Sequence, residues 1–311
     1  MQTQSQTINP IRDHDDTAAP PAALRAGLLN AMTVDVEDYF QVQAFADVIA
    51  RDAWEALPRR VERNTDRILD IFAAAGVKAT FFTLGWVAER HPRVIRRLVD
   101  EGHELASHGY AHQRADTQSP AEFRADVVRT KAILENKGGT AVHGYRAPTF
   151  SIGPRNRWAF EILAEAGYRY SSSINPIAHD LYGVPDGPRA PYRDEPSGLV
   201  EIPLTTVRVL GHNFPCAGGG YFRLLPYAMS VRAMRHVNRA DGLACVFYLH
   251  PWEIDPDQPR QRQAPWKSRF RHYHNLARTE TRLRHLLADL SWGRMDEAFA
   301  PALASAPRAA K

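Results

Sequence analysis

The sequence predicts an α/β fold built on a parallel sheet, either open or closed into a barrel. Strand-like and helix-like segments alternate along most of the 311 residues, and polar side chains directly follow four of the strand-like segments. The length also suits one large α/β unit. Because the carboxyl ends of parallel strands lie on one face of the sheet, we expect these polar side chains to meet there.

The composition is that of an ordinary globular protein, with 44% hydrophobic and 24% charged residues and a net charge of +4. The basic segment 266–272 is the one local candidate for an anion-binding face, and a solvated surface or a lid over an anionic glycan explains it as well. We therefore expect no nucleic-acid partner. Cys216 and Cys245 have no CxxC partner, so the sequence indicates neither a disulfide framework nor a cysteine–zinc site.

The chain shows neither the ~18 consecutive apolar residues of a membrane span nor the apolar core of a secretory signal. We therefore expect no transmembrane segment and a cytoplasmic location. Residues 1–27 are polar or rich in Ala and Pro, which predicts a disordered arm. Residues 28–300 are expected to form a single domain, and 301–311 a flexible tail.

Predicted strands are short runs of β-branched and aromatic residues between turn residues. They cover 29–36, 77–84, 104–107, 143–147, 168–172, 200–206 and 243–249. Predicted helices show apolar residues at helical spacing, with Gly76 ending the first and a capping box from Ser119 to Glu122 opening the third. They cover 61–75, 92–101, 120–135, 155–166, 226–239 and 275–290.

A histidine pair follows the predicted strand at 104–107. His108 and His112 are four residues apart, a spacing that lets both imidazoles bind one metal ion from a helical turn or a tight loop. Gly109 follows the first histidine, so the helical zinc-protease motif is absent. Two surface or hydrogen-bonded histidines without a metal remain the alternative.

An acidic cluster ends the first predicted strand. Buried acids at such a position are costly unless they bind something. Asp35 and Glu37 share one face if the chain stays extended, so one could ligate a metal ion while the other acts as a general base. A helix N-cap is the alternative, and it suits Asp38 better than Asp35.

Two further polar residues follow predicted strands. Arg146 could orient a catalytic carboxylate through a bidentate pair and keep it ionised, or it could form an ordinary surface salt bridge. His250 follows a buried strand and is placed for general-acid work, although a lone histidine there could also be structural. Together with the acids and the histidine pair they supply the groups needed for metal-assisted hydrolysis.

From about residue 29 to 252, the order of the acidic cluster, H-x-x-x-H, R-x-P and L-H-P resembles the polysaccharide deacetylases, a carbohydrate esterase group named for the nodulation chitooligosaccharide deacetylase. The segments 35–40 (DVEDYF), 218–223 (GGGYFR) and 273–280 (YHNLARTE) are similar to a bacterial branch linked to exosortase and exopolysaccharide gene clusters. The resemblance implies a distorted (β/α) barrel. It also implies a hydrolase that removes N-acetyl groups from a glycan with one divalent metal ion, and zinc suits two histidines and one carboxylate.

The resemblance also implies roles for individual residues. Asp35 would be the base, paired with Arg146, and His250 the acid. The metal ligands would be Glu37, His108 and His112. The adjacent acid pair usual in the family is interrupted by Val36, so Asp38 remains an alternative to Glu37.

For substrate binding, the resemblance points to a backbone N–H near Thr149, to close backbone approach at Gly219 and Gly220, and to ring stacking by Tyr221 or Trp252, with Trp266 as a further aromatic residue. A plain flexible turn is the alternative for the glycines. The implied partner is an acetylated glycan, with possible peripheral contact to membrane-linked glycan machinery.

One departure concerns the acid. The family often carries an Asp that orients the catalytic histidine, on a strand that corresponds to 168–173, and no acid stands there. The orienting partner of His250 is therefore unidentified. Hydrolysis of another small amide, or glycan binding without catalysis, remain the alternatives.

Overall fold

The protein is built around one parallel sheet. The computed structural model describes residues 27–304, which form a nine-stranded sheet, a separate two-stranded hairpin and helices packed around them. The strands are β1 (Asn30–Val36), β2 (Thr80–Thr83), β3 (Glu104–Ser107), β4 (Gly144–Tyr145), β5 (Tyr170–Ser171), β6 (Tyr192–Arg193), β7 (Val200–Glu201), β8 (Thr206–Val209), β9 (His212–Pro215), β10 (Val246–Leu249) and β11 (Trp292–Gly293).

The helices follow the strands in alternation over the first half of the chain and become denser toward the end. They are α1 (Val61–Ala75), α2 (Gly85–Arg90), α3 (Pro92–Asp100), α4 (Pro120–Gly138), α5 (Trp158–Glu165), α6 (Gly219–Leu224), α7 (Tyr227–Ala240), α8 (Trp266–Tyr273), α9 (Leu276–Asp289), α10 (Met295–Ala298) and α11 (Ala300–Ala304). Among the helices described, none has the length and apolar content of a membrane span.

The sheet order is β10-β1-β2-β3-β4-β5-β7-β6, with β11 beside the start of β1. All neighbouring strands run parallel except β6 and β7. The sheet curls into a distorted (β/α) half-barrel whose edge strands are β10 and β6, which confirms the expected fold class. Since the strands run parallel, their carboxyl ends share one edge.

Several helix ends lie where the sequence predicts them. Helix α1 ends at Gly76, whose φ of 64° is the left-handed conformation that a glycine adopts at low cost. Helix α4 opens with the expected capping box: the Ser119 hydroxyl accepts from the N–H of Glu122, whose carboxylate accepts from the N–H of Ser119. Both devices satisfy backbone groups that a helix end leaves unpaired.

Other boundaries differ from the prediction. The strand predicted at 200–206 is divided between β7 and β8, because Pro203 lacks the N–H that a continuous ladder needs. The flexible tail predicted from residue 301 is wrong for 301–304, since these residues continue helix α11 and Leu303 is buried in a cluster with Met295 and Phe299. The predicted arm up to residue 26 and the remainder of the tail lie outside the described residues.

Candidate active site

The four polar clusters noted in the sequence meet at the carboxyl edge of the sheet, as expected. Strand β1 leads into the acids, β3 into the histidine pair, β4 into the arginine, and β10 into the last histidine. The side chains of this set are almost entirely buried except for the last, which is partly buried. The set consists of Asp35, Glu37, His108, His112, Arg146 and His250.

Three of these residues could hold a metal ion. Ligand atoms of Glu37, His108 and His112 all lie within 4.8 Å of one another. The Nδ1 of His108 lies 2.9 Å from the backbone carbonyl of Arg146. Because a carbonyl oxygen only accepts, Nδ1 carries the proton and Nε2 keeps its lone pair for a ligand. Burial, reinforced by the nearby His112, holds the pKa of His108 well below its usual value, which favours the neutral imidazole that a metal requires.

The third member of the set, Glu37, supplies the negative charge. Burial acts to raise its pKa, but His112 and His250 outweigh that effect and lower it. Its Oε2 lies 3.0 Å from Nε2 of His112, yet this oxygen is buried and accepts no hydrogen bond from any described residue. A buried, ionised and unsatisfied oxygen beside two imidazole nitrogens fits a divalent cation, and the two-nitrogen, one-carboxylate donor set suits zinc.

The neighbouring Asp38 has a different role. Its carboxylate accepts hydrogen bonds from the backbone N–H groups of Tyr39 at 2.8 Å, Arg60 at 2.6 Å and Val61 at 2.9 Å. It therefore caps the start of α1 from a distant position in the sequence. Burial raises its pKa to about 6, against the lowering effect of those donors. With its oxygens engaged in this way, the geometry favours Glu37 over Asp38 as a ligand.

The buried arginine holds Asp35. Nη1 of Arg146 donates to Oδ1 of Asp35 at 2.7 Å and to the hydroxyl of Thr33 at 2.8 Å. Its Nε and Nη2 donate to the carbonyl and hydroxyl of Ser172. The pair of Arg146 with Asp35 is present, but it is not bidentate as expected. One guanidinium nitrogen contacts Asp35, and the other two donate to Ser172, the residue that follows β5. This leaves Oδ2 of Asp35 free of the arginine.

The structure identifies the orienting group that the sequence left open. Glu253 lies three residues after His250, and its Oε1 is 2.7 Å from Nδ1 of that histidine. Its Oε2 accepts from Nε of Arg223 at 2.6 Å. Arg223 is buried and also donates to the backbone carbonyls at the end of α8. The H-P-W-E spacing was the available signal, because a 3-10 turn returns the fourth residue to the first.

This pairing sets the charge of the histidine. Burial acts to lower the pKa of His250, but Glu37, Glu253 and Asp35 raise it to about 9. Nε2 of His250 lies 3.9 Å from Oδ2 of Asp35 and 3.5 Å from Oε1 of Glu37. The site thus juxtaposes a protonated imidazole and a carboxylate oxygen beside the candidate metal ligands.

Strained backbone is concentrated at this edge. His112 has a φ of 50°, Thr149 of 57° and Phe150 of 49°, all in the left-handed region that non-glycine residues rarely adopt. The Thr149 hydroxyl is also buried and has no hydrogen-bond partner among the described residues. Unsatisfied polar atoms of this kind are typical of a ligand site, so Thr149 stays a candidate substrate contact.

Of the other substrate-binding candidates, Gly219 packs against the protein itself, whereas Gly220 is exposed. A Cβ on Gly218 would lie 2.2 Å from the carbonyl oxygen of Tyr248, and one on Gly219 2.5 Å from the Tyr248 hydroxyl. Gly219 and Gly220 open helix α6, so they are not a flexible turn. Their contact with a sugar stays a prediction, as does that of the half-buried Tyr221.

The expectation for Trp252 needs correction. Its ring is stacked against His250 on one side, with centroids 5.1 Å apart, and against His272 on the other, 4.0 Å apart. The ring is only 5% exposed, so neither face is available to a sugar. Instead, Nε1 of Trp252 donates to Oε1 of Glu37 at 3.2 Å, which orients the candidate metal ligand.

The chain is similar to known proteins over several of its segments. Residues 52–171 match the family model described as polysaccharide deacetylase, and residues 172–300 match a domain of unknown function, DUF3473. Asp35 and Glu37 precede the first match, whereas Glu253 and His250 lie in the second. The candidate site is therefore assembled from both matched segments and the strand before them.

Two curated relatives match part of the chain. It is 36% identical over 98 residues to the peptidoglycan-N-acetylglucosamine deacetylase of Bacillus cereus, covering 31% of this chain and 36% of the relative. It is 31% identical over 100 residues to the chitooligosaccharide deacetylase of a Bradyrhizobium species, covering 32% of this chain and 43% of the relative. The chain thus spans less than half the length of either relative in these matches.

One solved structure shares the fold over nearly the whole chain. It is a crystal structure from Mycobacterium smegmatis that is provisionally described as a polysaccharide deacetylase. The TM-score is 0.57 at 23% sequence identity, with 94% of this chain and 97% of the other covered. At that identity the likeness concerns the fold.

Proposed function

We propose that this chain, whose residues 52–171 match the polysaccharide deacetylase family, removes N-acetyl groups from a glycan with the help of one divalent metal ion. The observation that carries the proposal is the convergence of two proton-transfer groups beside one candidate metal set. His250 Nε2 lies 3.9 Å from Asp35 Oδ2 and 3.5 Å from Oε1 of Glu37, which forms the candidate metal set with His108 and His112.

Glu37, His108 and His112 would hold the ion, which supplies a Lewis acid toward the acetyl carbonyl. Trp252 and the carbonyl of Arg146 keep two of these ligands in their orientation through hydrogen bonds. Zinc suits this donor set, although the chemistry also admits other divalent ions.

Asp35 is the proposed general base. Arg146 pairs with its charge and fixes Oδ1, so that Oδ2 stays available to accept a proton from the attacking water. His250 is the proposed general acid. With a pKa near 9 it carries a proton at neutral pH, and Glu253 aims its Nε2 by holding Nδ1. It would donate that proton to the departing sugar amine.

The substrate class is proposed from the names of two relatives. The names of the two relatives specify peptidoglycan N-acetylglucosamine and chitooligosaccharides, which supports an acetylated glycan for this chain. A role in exopolysaccharide biosynthesis, membership of the exosortase-linked branch, contact with membrane-linked glycan machinery and a cytoplasmic location stay predictions from the sequence.

Acetate release from a panel of N-acetylglucosamine oligomers, with and without chelator, tests the proposal. We expect acetate in the untreated sample, loss of release after chelation and recovery when zinc is restored. Release that is insensitive to chelation would overturn the metal assignment. Glycan binding without acetate would favour an inactive binding protein, and turnover of small amides alone would favour an amidohydrolase.

A further inference from the structure

A shallow cleft of ≈ 480 Å³ lies between helix α8 and the loop that precedes it. It belongs to the segment matched only by a domain of unknown function, and none of the candidate catalytic residues lines it. Its walls combine aromatic rings with guanidinium groups. The principal lining residues are Arg260, Arg262, Trp266, Arg269, Phe270 and Tyr273.

The aromatic side chains on α8 are unusually exposed. Trp266 is 73% and Phe270 49% exposed, and both line the cleft. Four residues apart on a helix, they lie on one face and form a continuous apolar strip. Leaving large rings in water forgoes the free energy of burying them, so such a strip marks a surface that contacts a ligand or partner.

The cationic side chains of the cleft lack acidic partners. Among residues 27–304, no carboxylate forms an ion pair with Arg260, Arg262 or Arg269, whereas Lys267 and Arg271 elsewhere on α8 both pair with Asp180. The same helix therefore has a neutralised side and an open cationic side.

Two of these cationic groups, those of Arg260 and Arg269, are also held in place. The guanidinium of Arg260 lies over the ring of Tyr273, 4.3 Å from its centroid. One nitrogen of Arg269 donates to the backbone carbonyl of Arg262 at 3.3 Å, which leaves its other donors unused by that contact. The Tyr273 hydroxyl accepts from the N–H of Gln261 at 2.7 Å, which ties the loop to the helix. Ordered guanidinium groups lose less entropy when they bind an anion.

We infer that this cleft binds a negatively charged stretch of polysaccharide. Carboxylate groups on the sugars would pair with the arginines, whose planar forks match a carboxylate. The apolar faces of the sugar rings would lie against Trp266 and Phe270. A neutral glycan would leave the guanidinium groups without anionic partners.

Helix α8 lines the cleft on one side and contacts the support of the candidate active site on the other. We therefore infer that the cleft binds the same polymer on which the candidate active site acts. His272 on the buried side of α8 stacks on Trp252, and its backbone carbonyl holds Arg223, the partner of Glu253. The inference therefore rests on the proposed function for the identity of the polymer, but binding in the cleft can be measured without turnover.

The test compares binding of hyaluronan oligosaccharides, which alternate N-acetylglucosamine with glucuronate, and neutral N-acetylglucosamine oligomers of equal length. Calorimetry would use the full chain, the double variant Arg262→Ala/Arg269→Ala and the variant Trp266→Ala. Arg232→Ala on α7 and Phe214→Ala on β9 are matched controls, since they remove an exposed charge and an exposed ring elsewhere.

We expect the double variant to bind the acidic oligosaccharide at least about tenfold more weakly, because it lacks two guanidinium groups that can pair with carboxylates. Trp266→Ala should weaken both ligands, the two controls neither, and acetate release from short neutral oligomers should not change. Equal affinity in all variants would overturn the inference.

A second arm uses vesicles containing phosphatidylglycerol. The glycan assignment is wrong if the wild-type protein shows no preference for the acidic oligosaccharide but binds these vesicles. In that case Arg262→Ala/Arg269→Ala and Trp266→Ala should lose vesicle binding, because the cleft contacts lipid. Retained hyaluronan binding without any acetate release would instead disprove the proposed function and leave the cleft as a glycan site.

Discussion

The two ends of the sheet both hold sequestered carboxylates, but in opposite electrostatic surroundings. At the carboxyl end, Glu37 is faced by His108, His112 and His250, and these lower its pKa although burial acts to raise it. At the amino end, Glu104 starts strand β3, and burial raises its pKa to about 7.

Different hydrogen-bond donors explain the contrast. Glu104 accepts from the hydroxyls of Thr80 at 2.6 Å and Tyr170 at 2.8 Å and from the N–H of Asp296, whose carboxylate adds further repulsion. The carboxyl end supplies imidazole and guanidinium groups instead. Burial alone thus does not fix the protonation state of an acid, and only the carboxyl end combines ionised acids with a protonated histidine.

The largest effect is expected from Asp35→Asn. Loss of the base should reduce kcat by ~10²–10⁴-fold, while Arg146 keeps acceptors on Thr33 and Ser172. Steady-state acetate release and metal content together check this expectation. If the variant loses its metal while Glu37→Gln retains it, the roles of base and ligand are reversed.

Glu253→Gln should have the next largest effect, about 10–100-fold on kcat, the usual range for a residue that orients another. Its charge helps to raise the pKa of His250. A general acid is active below its pKa, so activity is lost as pH rises through that value. Removing the charge should therefore move the alkaline limb of the pH–rate profile to lower pH. If the rate falls but the alkaline limb of the pH–rate profile stays at the same pH, Glu253 has only a structural role.

The sequence could place most of this site but not its supporting residues. Asp35, Glu37, His108, Arg146 and the rest of the set follow recognisable strands, and parallel topology brings strand ends together. The family resemblance places the support for His250 on another strand, at 168–173, where the chain has no acid. It comes instead from a local turn and from Arg223, which is distant in sequence. Contacts of that second kind depend on tertiary packing, which periodicity does not reveal.

Prediction of the fold also succeeded for some elements and failed for others. The early strands and helices carry clear periodicity and end at glycines or caps, so α1, β3 and α4 were predicted closely. The short helices α2, α6, α8, α10 and α11 are absent from the prediction. Gly218 and Gly219 stand at the start of α6 because Tyr248 leaves no room for their side chains, and α8 has few buried residues to produce an apolar pattern.

The variant Asp38→Ala distinguishes the role of Asp38 from that of its neighbour Glu37 at the carboxyl end of the sheet. It should leave the N–H groups of Arg60 and Val61 unpaired and reduce the free energy of unfolding by about 1–3 kcal/mol. Metal content should be unchanged, because Asp38 caps a helix. Urea denaturation and metal analysis test this, and loss of the ion with unchanged stability would make Asp38 the ligand after all.

The smallest effect concerns the amino end. The pKa of Glu104 is about 7 in the folded protein, compared with the ordinary glutamate value of 4.5 that applies to the unfolded chain. The folded state therefore binds more protons between these values, and its stability falls as pH rises through that window. Glu104→Gln should remove this dependence, so its free energy of unfolding should fall less between pH 5 and pH 8 than that of the wild-type protein. Urea denaturation at pH 5 and pH 8 would show it, and an unchanged slope would mean that Glu104 is ionised throughout.

Metal titration of the purified chain tests the central claim most directly. Apo-protein, His108→Ala, His112→Ala and Asp35→Asn would each be loaded with zinc, dialysed and analysed for bound metal. We expect one ion per chain in the wild-type protein and in Asp35→Asn, and almost none in either histidine variant. One tightly bound ion in both histidine variants would contradict the assigned site.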